Sequence, residues 1–166
     1  MTKAQDLIRD FQSEVENTKR LLEAVPEDKL DWQPHEKSMT LAKLAGHIAE
    51  TPGWIGTMLE DTWDVAEMAN YEATDPKSSA ELMEAFEQGV AAIEPALADR
   101  DDAFMSGMWR MVKEGETLME LRRDDVIRNF LIHHVMHHRG QLTVYLRMLD
   151  QKVPATFGDS ADYPMF

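Results

Sequence analysis

The chain has 166 residues, of which 43% are hydrophobic and 29% charged, with no cysteine and a formal net charge of −14. This length suits one domain with a self-sufficient core, no apolar run approaches the roughly 18–20 residues of a membrane span, and the acid excess, which also serves solubility, sets the chain against nucleic-acid backbones and anionic lipid. Without cysteine there are no disulfides, thiol nucleophiles or thiolate ligands, so any metal site must use nitrogen and oxygen donors.

The N-terminus, Met1 to Asp10, carries charges where a signal peptide needs an apolar stretch, so a cytoplasmic protein is expected. Thr2 to Gln5 reads as a capping box, and Leu7, Ile8, Phe11, Val15, Leu21, Leu22 and Val25 then recur near helical period until Pro26. The polar connection 26–38 has room for one helical turn, and its lone His35 is expected in solvent. A second helix should start after Ser38 or Thr40 and carry Leu41, Leu44, Ala45, Ile48 and Ala49. Pro52 and Gly53 should interrupt it before the pattern resumes through Trp54, Ile55, Met58 and Leu59. After a loop over 70–77, Ser78 to Glu81 reads as a second capping box, opening a helix through Leu82, Phe86, Val90 and Ile93 that fades near 95–97. Residues 98–121 leave two options: a helix, or an extended pair around Lys113-Glu-Gly-Glu116. Asp124 or Asp125 should cap the last long helix, which runs to about Asp150. The aromatics of the irregular tail, 151–166, suggest that it docks on the body. The expected architecture is a single all-α domain over 1–166: an up-down four-helix bundle with a long connection before the last helix.

The last helix carries two histidine pairs four residues apart, His133/His137 and His134/His138. Such residues are offset by about 40° around the axis and about 6 Å along it, so two imidazoles can share one metal ion. Ile127, Leu131, His134, His138, Leu142, Tyr145 and Leu149 form one apolar stripe, which turns His134 and His138 inward and leaves His133 and His137 at an edge or near a partner subunit. His47 lies on the inward stripe of the second helix with Leu41, Leu44, Ile48 and Ile55. A buried histidine needs a hydrogen-bond partner or a metal, and one alone is usually a satisfied core residue. Three on two facing helices of a small bundle point to a metal. Glu50 sits one turn from His47 and Gln141 one turn from His138. For each, a site role stands beside a plain one: a solvent-facing carboxylate for Glu50, a helix contact for Gln141. Arg139 is expected to pair with a carboxylate, and Gly140 to admit another helix at close range. The four tryptophans, with Met105, Met108 and Met111, read either as core or as the lining of a pocket above the metal.

His134-x-x-x-His138-Arg139-Gly140-Gln141-Leu142, the upstream His47, and a tail reading Val153-Pro154-Ala-Thr-Phe157-Gly158-Asp-Ser160-Ala161-Asp162 together resemble the DinB superfamily (DinB/YfiT-like metalloenzymes) over nearly the whole chain. The resemblance implies a four-helix bundle, commonly a homodimer, with a divalent metal on His47, His134 and His138. Relatives include thiol-dependent transferases and isomerases, so it further implies a small-molecule substrate and a possible low-molecular-weight thiol. Three neutral histidines leave coordination positions open, as a catalytic site requires, and zinc and nickel both suit imidazole. The notable alternative is a non-catalytic metal-binding or stress-response bundle with a vestigial site. Glu50 and Gln141 are the candidate catalytic residues.

Overall fold

The structure, a computed structural model, describes residues 1–164, with Asn70 by its backbone alone. Met165 and Phe166, the end of the expected docking tail, lie outside the described residues. Helix α1 (Lys3–Glu23) opens on the full capping box: Thr2 accepts from the Gln5 amide and the Gln5 side chain accepts from the Thr2 amide. Helix α2 (Leu41–Glu50) is capped by Thr40. A 3-10 turn, Thr51–Trp54, breaks the run at Pro52, and the short α3 (Ile55–Leu59) completes it. Strand β1 (Thr62–Asp64) follows. Helix α4 (Ser79–Leu97) starts from Ser78, which accepts from the Glu81 amide; the Glu81 carboxylate accepts instead from the Lys77 amide, so only half of the second capping box forms.

Residues 98–121 resolve largely in favour of the extended option. After the single turn α5 (Asp102–Met105), β2 (Met108–Lys113) and β3 (Glu116–Arg122) form an antiparallel hairpin, with β1 parallel to β2 on the other side. Glu114 and Gly115 take φ of 51° and 84°, the pair of positive angles that a tight hairpin turn of matching twist demands. The small sheet stands beside a bundle in which α1 and α2 each pack on both α4 and the last helix. The four-helix bundle expected from periodicity is present. Among the described residues no helix is long and apolar enough to cross a membrane.

The last helix has three parts: α6 (Arg123–Ile127), a π-helical segment (Arg128–His133) and α7 (His134–Met148). The expected cap at Asp124 or Asp125 is not found. The helix begins earlier, at Arg123, and the two aspartates occupy its first turn, where the helix dipole favours them. The buried Arg123 fixes that start by donating to the Leu59 and Phe104 carbonyls and pairing with Asp61. Asp124 pairs instead with Lys3 at 2.7 Å and Arg122 at 2.5 Å. Each residue of a π turn adds less rotation than in an α-helix, so neighbours on one face fall five apart. Accordingly Val126 and Leu131 are buried together, as are Ile127 and Ile132.

Gly140 does not admit a helix of its own chain: it is exposed, and a Cβ there would meet nothing within 4 Å. The close approaches fall at Gly46, where a Cβ would lie 2.4 Å from the Thr74 carbonyl oxygen, at Gly89, 2.9 Å from the Pro52 Cβ, and at Gly107, 2.4 Å from Arg123 Nη1. The tail is tied by polar groups. The Asp162 carboxylate accepts from the Val153 amide at 2.9 Å and from Arg147 at 2.5 Å, and Ser160 donates to the Val153 carbonyl. The two aromatics of the described tail are largely exposed, Phe157 at 67% and Tyr163 at 48%, although Phe157 lies beneath the Arg139 guanidinium at 5.3 Å.

Buried side chains fall into two clusters. One, with Leu21, Leu44, Ile48, Phe86 and Leu142, fills one end of the bundle. The other, with Leu7, Ile55, Ile93, Trp109 and Leu131, fills the end beside the sheet. Along the last helix His134 and His138 fall where one cluster, ending at Ile132, gives way to the other, which takes in Val135 and Leu142.

Candidate metal centre and its pocket

Helix α2 brings His47, and the first two turns of α7 bring His134 and His138, to one point. The Nε2 atom of His134 lies 2.8 Å from Nε2 of His47 and 3.2 Å from Nε2 of His138. One ring nitrogen from each of the three lies within 4.8 Å of the others.

The outer nitrogens decide what these inner atoms carry. The Gln141 side-chain oxygen accepts from His138 Nδ1 at 2.7 Å, and a Glu50 oxygen accepts from His47 Nδ1 at 3.4 Å. With a proton on Nδ1, each neutral ring presents a bare lone pair at Nε2. Lone pairs so close repel unless a cation or a proton stands between them. Nitrogens bound to one tetrahedral ion at 2.0–2.1 Å would stand about 3.3 Å apart, near the spacings seen. The donor set therefore fits a metal ion held by imidazole nitrogens.

A neutral His134 can place its one ring proton on Nε2 and bridge to one neighbour but not to both, and a second proton on the ring is disfavoured. Burial, reinforced by the neighbouring histidines, lowers the pKa of His134 from 6.5 to about 4. Burial likewise lowers that of His138, against the pull of Gln141. The sign for stability follows. An unfolded His134 takes up a proton near pH 6.5 while the folded one resists until about pH 4, so its contribution is full above 6.5 and lost as pH falls through 4. Urea unfolding of metal-free protein should show falling stability from pH 6.5 to 4; a flat profile would contradict a buried neutral His134.

Glu50 is not a solvent-facing carboxylate. Besides His47 it takes hydrogen bonds from the Thr74 amide at 2.9 Å and from the Tyr71 hydroxyl. Burial alone would raise its pKa, but hydrogen bonds from His47, Thr74 and Tyr71 outweigh it and lower the value to about 2. Burial and the Glu50 charge together push the Tyr71 hydroxyl upward, so it stays a donor. The expectation had no place for Tyr71 or Thr74, which reach the site from a coil. Gly46 was the available signal: a mid-helix glycine marks where another backbone comes close, here that of Thr74.

Beside His47 and His134 opens a cavity of about 560 Å³ walled by Trp54, Trp63, Trp109, Phe130, Met58 and Met111. Three of the four tryptophans thus line the pocket. Trp32 lies elsewhere, edge-on to Tyr145 with ring centroids 5.4 Å apart. Of the three methionines, Met111 faces the cavity, Met105 is core and Met108 is exposed. His133, His137 and His35 are exposed.

A helical bundle with three imidazoles converging at the wall of an apolar pocket is the class that fold and site define. The chain belongs to the DinB family, whose sequence profile matches residues 1–163. It is 24% identical over 160 residues to the uncharacterized protein YrdA of Bacillus subtilis, spanning 93% of this chain and 88% of that one. Its fold is similar to the crystal structures of two DinB-like proteins. For YjoA of B. subtilis the TM-score is 0.68 at 18% identity, covering 90% of this chain and 96% of that one. For one from Bacillus cereus it is 0.70 at 20% identity, covering 92% and 96%.

Proposed function

We propose that the protein is a metal-dependent enzyme acting on a small molecule in this pocket, with His47, His134 and His138 as ligands and thiol transfer as the reaction. The observation that carries the reading is the convergence of three imidazoles, two of them with Nδ1 turned to an oxygen acceptor, at the wall of an apolar cavity. A divalent ion bound there would supply Lewis acidity, lowering the pKa of a coordinated thiol or water. Glu50 and Gln141 act as positioning residues that hold the Nδ1 protons of His47 and His138 and so keep Nε2 free for the ion. Glu50, held near a pKa of 2, is a weak base and serves orientation rather than proton abstraction. The apolar walls exclude water from the reacting groups. The cytoplasmic location expected from the sequence, and association into a homodimer, fit this reading. Gly140, Val144 and Met148 leave an exposed, partly apolar stretch of α7 for a second copy.

The test is elemental analysis of the purified protein together with a screen of low-molecular-weight thiols against apolar electrophiles. About one zinc or nickel per chain with metal-dependent conjugation is expected. Stoichiometric metal without turnover would favour non-catalytic metal binding, and absence of metal would overturn the reading. Glu50→Ala should weaken metal affinity by about 10- to 100-fold, measured by chelator competition, because no acceptor then holds the His47 Nδ1 proton. Unchanged affinity would remove Glu50 from the site.

A further inference from the structure

The walls of the cavity carry a charge pattern as well as an apolar one. Its lining includes three tryptophans, Phe130 and Tyr71, and one carboxylate, Glu67; among the described residues it has no lysine or arginine. A second carboxylate, Glu50, lies directly behind Tyr71. The arginines on the surrounding elements are already spent on carboxylates. Arg110 of β2 pairs with Glu120 at 2.6 Å, Arg128 of the π segment with Asp10 at 2.9 Å, and Arg123 with Asp61. An anionic ligand body would find no side-chain counter-ion here and would lose its hydration against indole faces. A cationic or neutral one meets the reverse situation, since tryptophan faces attract cations and Glu67 adds full charge. The rings meet at angles rather than in stacks, Trp54 and Tyr71 edge-to-face and Trp109 tilted on Phe130, each pair 6.4 Å between centroids. A flat ring therefore has faces and edges to pack on. The volume suits a molecule of one to three rings.

We propose that this pocket selects an aromatic ligand body that is cationic or uncharged, and rejects anionic ones. The inference deepens the enzymatic reading by naming its substrate class, and rests on it only for where the reacting group would sit. In thiol transfer the pocket holds the electrophile's body, and any carboxylates of the thiol stay outside it.

The test uses the full chain and three probes of matched size: 2-naphthylmethylamine, 2-naphthalenemethanol and 2-naphthoate. Binding is read from tryptophan fluorescence at neutral pH, in chelator-treated and zinc-loaded protein, with metal content measured separately. In chelated protein the amine and the alcohol should bind, and the naphthoate should bind about tenfold more weakly than the amine. Glu67→Gln, an exposed position, should bring the amine down towards the alcohol. Trp63→Leu should weaken both, with circular dichroism reporting that the variant is folded. Naphthoate binding as tightly as the amine in chelated protein, or no binding by any probe, overturns the proposal. Naphthoate binding in the zinc-loaded protein alone reports direct ligation of the metal and leaves the pocket's own preference standing. Failure to take up zinc defeats the metal reading without altering the chelated comparison.

Discussion

His134→Ala should strip the protein of stoichiometric metal, from about one ion per chain to near none, because two ligands on separate helices cannot hold an open site firmly. His134 is the decisive position. Its Nε2 is the atom that approaches both other rings, at 2.8 and 3.2 Å, while the outer nitrogens of His47 and His138 turn to Glu50 and Gln141. His133→Ala and His137→Ala are the matched controls: both side chains are exposed on the same helix, so their metal content should equal that of the parent. Elemental analysis of the three variants decides the matter. Metal retained by the first, or lost by either control, would mean that the ligand set is wrong.

Arg139→Ala should destabilise the fold by about 3–5 kcal/mol, measured by urea denaturation, without acting on the metal ligands directly. Arg139 is 2% exposed and its guanidinium faces α1, donating to the Glu14 carboxylate at 2.6 Å, the Glu14 carbonyl at 3.0 Å and the Thr18 hydroxyl at 3.1 Å. Truncation leaves the partly buried Glu14 carboxylate unpaired, and that orphaned charge sets the size of the loss. Replacing both residues with apolar ones, as in Arg139→Met with Glu14→Leu, should recover most of it. A single-variant loss below about 1 kcal/mol would show that water reaches Glu14 and does the arginine's work. Arg139, although it sits inside the histidine motif, thus ties α7 to α1.

The helices and the histidine cluster were legible because burial imposes a period, and His134, His138 and His47 fall on apolar stripes. The hairpin was legible only as an alternative: Gly115 marked a turn, but methionines spaced by three in 105–111 mimic a helical face. The π segment was not legible. Its five-residue spacing differs little from four over a single turn, and nothing in Arg-Asn-Phe-Leu-Ile-His announces a wide turn. The early start of the last helix was hidden for a related reason. Asp124 and Asp125 look like caps locally, whereas the start is set by Arg123 reaching Leu59, Phe104 and Asp61 some 19 to 64 residues away. The environment of Glu50 depends likewise on Tyr71 and Thr74, 21 and 24 residues on, brought in by a coil without periodicity.

The division of the interior into two clusters bears on how the molecule opens. Helices α1 and α4 contribute to both, through Leu7 and Leu21 on one and Phe86 and Ile93 on the other, and so act as struts running the full height. The short α3, the hairpin and the π turn pack on a single storey, the one that walls the ligand cavity. That storey can therefore breathe to admit a guest while the opposite one keeps the struts aligned, so amide exchange should be fast around the hairpin and slow along α2.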